Sequence, residues 1–259
     1  MNEELNRSLS VFADSKEVTG FTHARLTGRD ALGLYPMPFT LQIWNLEEED
    51  YAALIAAKTL SVRCGDSVLA SGEISVACRR AVPEGTLAEI VFAAGLRLWE
   101  ALVSLSVEAG VSVSETVRRN LAASGTGIRL LSFPGNDPVR TRGQAFFGRA
   151  AECVEEALSA AGARGYLTEA GLCIVPAEGL PASMALSGDD LLDDPVEVGD
   201  GRLLLRTRVT GWPLGKMISV KGKNGSAEGL VLERSVDADN TAGNWQSGLL
   251  VETTPITGQ

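Results

Sequence analysis

Histidine is nearly missing from this sequence of 259 residues, since His23 is its one histidine. A zinc site built on imidazole ligands, or a serine or cysteine nucleophile with a histidine base, would have to use that residue. His23 lies in GFTHARLTG, a strand-like stretch rich in small residues, where a structural or surface histidine is expected. The composition therefore weighs against enzyme classes that depend on histidine chemistry.

Paired cysteines are also missing. Cys64, Cys78, Cys153 and Cys173 form no C-x-x-C motif, and each sits among apolar or small residues. This placement predicts buried free thiols in a reducing compartment, with a disulfide or a metal site as the alternative.

Positive charge and long apolar runs are scarce. The net charge is −10, so the basic face that a duplex DNA binder or an anionic-membrane binder needs is not expected. No stretch reaches about 18 apolar residues, and no transmembrane helix is expected. The N-terminal MNEELNRSLSVF has no basic region and no long apolar run, so no signal peptide is expected. Synthesis and folding in a cytoplasm are expected instead.

No segment has the residue spacing of a phosphate-binding or calcium-binding motif. SGTG and GKNGSAEG match no phosphate-binding loop and indicate turns. GDDLLDDP lacks the alternating ligands of a calcium loop. It is interpreted as one helical turn capped by Ser187 and Asp190, with Leu191 and Leu192 tucked inwards and Pro195 at its end. Paired carboxylates occur in acidic runs on predicted helix faces, and no catalytic, cofactor-binding or metal-binding residue is assigned.

Two groups of residues have open interpretations. The arginine clusters indicate solvated faces or subunit salt bridges, and single-stranded nucleic acid is disfavoured because no aromatic residues are interleaved with them. The tryptophans indicate core packing or a protein interface, with sugar stacking as the alternative. These residues are Arg79 and Arg80, Arg118 and Arg119, Arg140 and Arg142, and Trp44, Trp99, Trp212 and Trp245.

The sequence does contain segments in which apolar and polar residues alternate. Pro38–Leu46 places Phe39, Leu41 and Ile43 on one face, and Ser61–Val82 indicates strands with a hairpin at Gly65–Asp66. Between them, an acidic start and a late lysine predict a helix over 47–60. A strand is also expected over 86–95.

The middle of the chain adds helices. Val103, Leu105 and Val107 alternate with polar residues and predict a strand. Ser112 and Glu115 form a capping-box pattern before a helix that stops at Gly125. The longest helix is predicted over Gln144–Ala161, with Phe146 inside.

The last quarter, from Arg202 to Glu252, predicts a run of antiparallel strands. Its order is strand, WPLG turn, short strand, Gly/Asn turn, long strand, DNTAGN loop and closing strand. A hairpin around Glu169–Gly171 precedes it. The predicted fold is α+β and mainly β: two small antiparallel β-barrel-like domains, 1–95 and 165–259, with a mixed α/β insert over 96–164.

The sequence resembles the hub proteins of phage tail baseplates, a family that includes late-control tail proteins and the N-terminal hub part of type VI secretion spikes. Three segments carry the likeness: RLLLRTRVTGWPLGKMISV, GLVLERSVDADNTAGNWQSGLLVE and RGYLTEAGLCIVPAEG. No one segment is specific, and their succession from Leu9 to Glu252 makes the resemblance.

The resemblance implies a structural role without catalysis or cofactors. Such hubs are homotrimers that join a sixfold tail tube to a threefold spike, contact other baseplate proteins and leave a channel through which DNA passes. An acidic lumen suits that role because it does not retain a polyanion. The expected location is the virion tail of a phage, a prophage particle or a tail-like particle. The alternatives are a carbohydrate-binding or carbohydrate-active β protein, and an enzyme with an unrecognised site.

Overall fold

The computed structural model describes residues 7–133, 135–208, 214–222, 225–241 and 243–253. Strands make up 53% and helices 15% of the structure, which confirms the predicted α+β class with mainly β content. The chain forms two compact units. Unit 1 consists of Met1–Asp30, Met37–Ala93 and Ala182–Gln259, and unit 2 of Ala31–Pro36 and Ala94–Pro181. The predicted division at 95/96 and 164/165 stays a prediction.

The first β region of unit 1 follows the predicted alternation. Phe39, Leu41 and Ile43 are buried while the residues between them are half-buried, as expected for a strand with one face in a core. Gly65 and Asp66 make the predicted hairpin turn. The elements are β1 (Ser10–Ala13), β2 (Lys16–Val18), β3 (His23–Ala31), β4 (Phe39–Trp44), α1 (Glu48–Ala56), β5 (Thr59–Cys64), β6 (Ser67–Val82) and β7 (Gly85–Ala93).

The second β region of unit 1 has the predicted strand order. Trp212 and Pro213 of the WPLG turn lie outside the described residues, as do 209–211, 223–224 of the Gly/Asn turn and 242 of the DNTAGN loop. The elements are β13 (Leu180–Leu186), β14 (Val196–Glu197), β15 (Arg202–Arg208), β16 (Lys216–Gly222), β17 (Gly225–Asp239) and β18 (Trp245–Thr253).

The two β regions form one sheet. Its main path runs β14-β15-β18-β17-β3-β4-β7-β6-β5-β1-β2, and β16 attaches to β17 and β13. The path is open: no pairing between β14 and β2 occurs in the part of the chain that is described. Val236, Ala238 and Trp245 of the second region pack into the same core cluster as Leu26 and Phe92 of the first. The regions therefore share hydrogen bonds and apolar burial.

Unit 2 contains helices packed on two small sheets. Its buried cluster joins Phe146 with Val117, Leu121, Val154 and Leu158. β10 pairs with β8 in one sheet, and β12 lies between β11 and β9 in the other. The elements are α2 (Leu96–Glu100), β8 (Leu102–Val107), α3 (Val113–Ser124), β9 (Leu130–Ser132), β10 (Gln144–Arg149), α4 (Ala150–Ser159), β11 (Arg164–Thr168) and β12 (Gly171–Val175).

α3 begins and ends where the sequence predicts. The Ser112 Oγ accepts a hydrogen bond from the Glu115 N–H, and Gly125 ends the helix with a φ of 67°. A second acceptor was not foreseen: Asp137 Oδ1 lies 2.9 Å from the Ser114 N. The Val113 N–H bonds the Pro138 carbonyl, so the first three N–H groups of the helix all have partners, as a stable start requires.

The predicted helix over Gln144–Ala161 is wrong in its first six residues. Gln144–Arg149 pairs with β8 over its whole length, and α4 starts at Ala150. Adjacent aromatic residues favour a strand, and Gly148, at a φ of 129°, has a backbone conformation that no helix contains. Local preference and cross-strand pairing therefore override the helical spacing of the apolar residues.

The predicted helical turn at GDDLLDDP is also wrong. Asp190 Oδ2 accepts hydrogen bonds from the N and Oγ of Ser187, which closes a turn without a helix. Leu191 bridges to Thr207 and is half-buried, while Leu192 is exposed. The acidic residues on both sides keep this stretch in solvent.

Candidate assembly surfaces

His23, the residue type best suited to acid–base catalysis, contacts other side chains of the sheet. His23 Nε2 lies 3.0 Å from Asp239 Oδ1, and its ring stacks on Trp44 with centroids 4.0 Å apart. Among the described residues, no cluster of three or more histidine, cysteine, aspartate or glutamate side chains is arranged to hold a metal ion. His23 therefore links two strands of unit 1.

The cysteines are free thiols, as expected, but not all are buried. Cys153 is buried, Cys64 and Cys173 are half-buried, and Cys78 is exposed on β6. Burial raises the pKa of the Cys64 thiol and also that of Cys153. The prediction of a buried thiol is therefore wrong at Cys78, because the second half of β6 is largely open to solvent on the face that carries it.

Charged side chains line the junction where β3 meets β17. Arg234 binds Asp30 through two hydrogen bonds, of 3.0 and 2.7 Å. Arg25 contacts Asp237 at 3.1 Å, and the Asn240 Oδ1 accepts a hydrogen bond from the Ala24 N–H. These contacts join residues more than 200 positions apart, so the two β regions are fixed to each other by specific polar pairs.

The arginine clusters have contacts within the chain. Arg79 binds Glu48 Oε2 at 2.5 Å and lies over the Tyr51 ring. Arg119 reaches both Glu108 and Glu115. Arg79 and Arg119 therefore form salt bridges within the chain, whereas Arg140 of the third cluster lies over the Phe146 ring. The subunit salt bridges that the sequence suggested stay a prediction.

Acidic charge is concentrated in unit 1. By sequence, unit 1 carries 24 acidic and 15 basic residues, whereas unit 2 carries nine and eight. All eight basic residues of unit 2 are arginines. Arginine is enriched and lysine depleted at protein interfaces, because the guanidinium is weakly hydrated and binds carboxylates through two hydrogen bonds.

Unit 2 exposes Tyr35, Leu102, Phe147 and Arg149, which together with the half-buried Trp99 we term the aromatic face. Phe147 is 87% and Leu102 74% exposed. Leu102 lies opposite Arg149 in the β8–β10 register, and Phe147 is two residues away on the same side. The Arg149 guanidinium lies 4.6 Å from the Trp99 ring centroid, and Tyr35 meets that ring edge-on. The face is therefore contiguous.

Unit 1 exposes a second surface, which we term the acidic strap, over 187–201. It contains six acidic residues and no basic residue, and all of its positions except Leu191 and Pro195 are exposed. Leu192, Val196 and Val198 are among the exposed apolar side chains of the chain. Hydrogen bonds from Ser187 lower the pKa of Asp190, which keeps that carboxyl charged.

Comparisons with solved structures place this fold among tail proteins. A tail protein from Neisseria meningitidis matches with a TM-score of 0.69 and 11% identity, over 95% of this chain and 96% of that one. A 43 kDa tail protein of a Shewanella oneidensis prophage matches with a TM-score of 0.66 and 10% identity, over 94% and 95%. The chain has the fold of these tail proteins.

The tail-protein fold extends to secretion systems. An Escherichia coli component of the type VI secretion system, described as structurally similar to the phage T4 tail proteins gp27 and gp5, matches with a TM-score of 0.63 and 11% identity. That match covers 91% of this chain and 74% of the other. No family model and no curated protein sequence matches the chain.

Sequence reasoning missed both surfaces of this tail-protein fold. The predicted helix over Gln144–Ala161 kept Phe146 inside and gave Phe147 no role, and the strap was interpreted as a compact turn. A usable signal was present in Phe146–Phe147, since two adjacent aromatic residues in a strand point to opposite faces and one of them must leave the core.

Proposed function

We propose that this protein is a structural baseplate hub of a phage tail or phage-tail-like particle. In this role it links the tail tube to the central spike and contacts other baseplate proteins. The observation that carries the proposal is the structural match to a tail protein over 95% of this chain and 96% of the other. A structural match over nearly the full length of both chains is stronger support for a shared architecture than a match over one domain would be.

The proposed hub is a homotrimer around a channel. Each chain contributes two β regions fused in one sheet, so three chains contribute six, which would adapt a sixfold tube to a threefold spike. The excess of acidic residues in unit 1 supports a lumen that lets DNA pass without retaining it. The proposed role requires no catalysis and no cofactor, and the protein would assemble in the bacterial cytoplasm before joining the virion tail.

The predicted division of the chain remains part of this proposal. In it, 1–95 and 165–259 are the two hub domains and 96–164 is the insert. The ion pairs between β3 and β17 support close coupling of the first and last segments.

The alternative, a carbohydrate-binding β protein, needs flat aromatic rings open to solvent. Trp245 is buried, Trp44 is stacked against His23, and Trp99 lies beneath Arg149. These contacts favour the hub, and Trp212 lies outside the described residues. A glycan array with the purified protein tests the alternative, because specific sugar binding would support it directly.

Two measurements test the hub. Light scattering behind size exclusion, across a concentration series, is expected to give three times the chain mass of 27.3 kDa. Immunogold labelling of an epitope-tagged copy in assembled particles is expected at the junction of tube and spike. A label along the tube or a protein missing from purified particles would contradict the proposed place. A monomer at every concentration, alone and with purified spike protein, would contradict the homotrimer.

A further inference from the structure

We propose that copies of this chain contact each other head to tail, with the aromatic face of one copy against the acidic strap of the next. This inference rests on the proposed homotrimer and names the surfaces that would build it. A contact between two different surfaces can close into a ring, whereas a contact of one surface with itself stops at two copies.

The aromatic face has the composition of a binding hot spot. Single exposed apolar side chains are common on protein surfaces, but a contiguous group of tyrosine, tryptophan, phenylalanine and arginine marks an interface. β8 and β10 form a sheet of two strands whose inner side chains Val103, Val107 and Phe146 are buried. The outer side carries Phe147 and Leu102, so one face of this sheet is packed and the other is left for a partner.

The acidic strap offers matching chemistry. Val196 lies opposite Leu204 in the β14–β15 register, and both side chains are exposed. Leu192 and Val198 are two further exposed aliphatic side chains of the strap. Carboxylates of Asp189, Asp194, Glu197 and Asp200 surround it in the sequence. An aliphatic centre with an acidic rim complements an aromatic centre with an arginine.

Charge selects a second copy as the occupant. Unit 2 carries arginine as its sole basic residue type and is close to neutral, whereas unit 1 is strongly acidic. Contacts between acidic surfaces of two copies are repulsive, whereas unit 2, with nine acidic and eight basic residues, adds little repulsion against the strap. The chain therefore carries both halves of a complementary pair, one on each unit.

Two variants test the contact. The face variant combines Phe147→Glu with Leu102→Glu, and the strap variant combines Asp194→Lys, Glu197→Lys and Val196→Ser. All of these side chains are exposed, so both variants are expected to fold, which circular dichroism and the unfolding midpoint check. Each variant alone is expected to be a monomer at concentrations where the wild type is a trimer. An equal mixture is expected to form dimers and nothing larger, because one intact face and one intact strap remain between the two chains.

Matched controls carry the same chemical changes elsewhere. Ile55→Glu places a charge at an exposed apolar position on α1, and Glu17→Lys with Glu84→Lys reverses two exposed charges. Both controls are expected to remain trimers. Face and strap variants that stay trimeric would overturn the inference and leave the proposed hub intact. A face variant that stays monomeric when mixed with the strap variant would also overturn it. A monomeric wild type would remove the homotrimer itself.

Discussion

Arg234 and Asp30 face each other across the pairing of β17 with β3, and their side chains share two nearly parallel hydrogen bonds. The Arg234 side chain is 9% exposed and that of Asp30 is 30% exposed. A buried arginine with a carboxylate in this geometry is a strong pair, and the loss of Asp30 removes two charge-assisted hydrogen bonds from a guanidinium in a poorly solvated place.

The first prediction concerns this pair. Asp30→Ala is expected to lower the free energy of unfolding by about 2–3 kcal/mol, because hydrogen bonds to charged groups contribute roughly 1.5–3 kcal/mol and Arg234 would stay buried. Urea unfolding followed by tryptophan fluorescence measures the change. The control is Glu233→Ala, which removes the partner of Arg29, an arginine whose side chain is 62% exposed, and is expected to cost less than about 1 kcal/mol. Equal losses in the two variants would contradict the importance of burial.

The second prediction concerns thiol reactivity. Cys78 is exposed, whereas burial raises the pKa of the Cys64 and Cys153 thiols. A thiolate is the species that reacts, so a maleimide is expected to label one site rapidly in the native protein and four in urea. Mass spectrometry of the labelled peptides identifies the site. Cys78→Ser is expected to remove the fast phase, and a fast phase that persists in this variant would contradict the assignment.

The third prediction concerns pH. Hydrogen bonds from the backbone of Lys58, then from the Thr59 side chain, lower the pKa of Asp14 below its ordinary 3.8. A depressed folded-state pKa contributes stability that is full above the unfolded value and is lost as the pH falls through the folded one. The gap in unfolding free energy between wild type and Asp14→Asn is therefore expected to be constant above about pH 5 and to shrink below 3.8.

The size of that gap is expected to be at most about 1 kcal/mol, because the carboxyl is largely solvated. Asparagine suits the site since Asp14 has a φ of 45°, a conformation that asparagine tolerates. Urea unfolding at a series of pH values measures the gap, and Glu17→Gln on the neighbouring strand serves as the comparison. A difference in unfolding free energy that grows as the pH falls would contradict a lowered pKa of Asp14.

The fourth prediction concerns the start of α3. Ser112→Ala is expected to lower the unfolding free energy by about 1 kcal/mol, the usual cost of a lost N-cap side chain. The Ser114 N–H keeps its bond to Asp137, so the helix is expected to remain formed. Hydrogen exchange of the first-turn amides is the sensitive measurement. Faster exchange at Glu115 with little change at Ser114 is expected, and equal protection at Glu115 in variant and wild type would contradict a capping role.

Local patterns predict the strands and helices whose packing follows from nearby residues. The alternation in β4, the cap of α3 and the strand order after Arg202 all follow from short stretches of sequence. The start of α4 does not, because Gln144–Arg149 has helical spacing and becomes a strand only through its partner β8. The pairing of β3 with β17 is even harder to predict, because nothing in the sequence of either strand specifies which distant strand it will pair with.

The candidate surfaces are harder still to predict. Phe147 and Leu102 belong to apolar patterns that favour burial, and their exposure follows from which side of β8–β10 the helices cover. The alternation of Val103, Leu105 and Val107 with polar residues places Leu102 on the open side of β8, but no pattern within β10 determines whether Phe146 or Phe147 is the buried one. The acidic strap is visible as composition, but the exposure of Leu192, Val196 and Val198 within it is a property of the folded chain.

The pairing of β3 with β17 also sets an order of events during synthesis. Asp30 leaves the ribosome 204 residues before Arg234. At about 5–20 residues per second, the outer edge of β3 stays without its partner strand for roughly 10–40 s. An unpaired edge is a template for wrong strand pairing, so the nascent chain is expected to be most prone to misassembly during that interval. A chain cut short before Gly225 keeps the open edge permanently, and such fragments are expected to aggregate instead of folding.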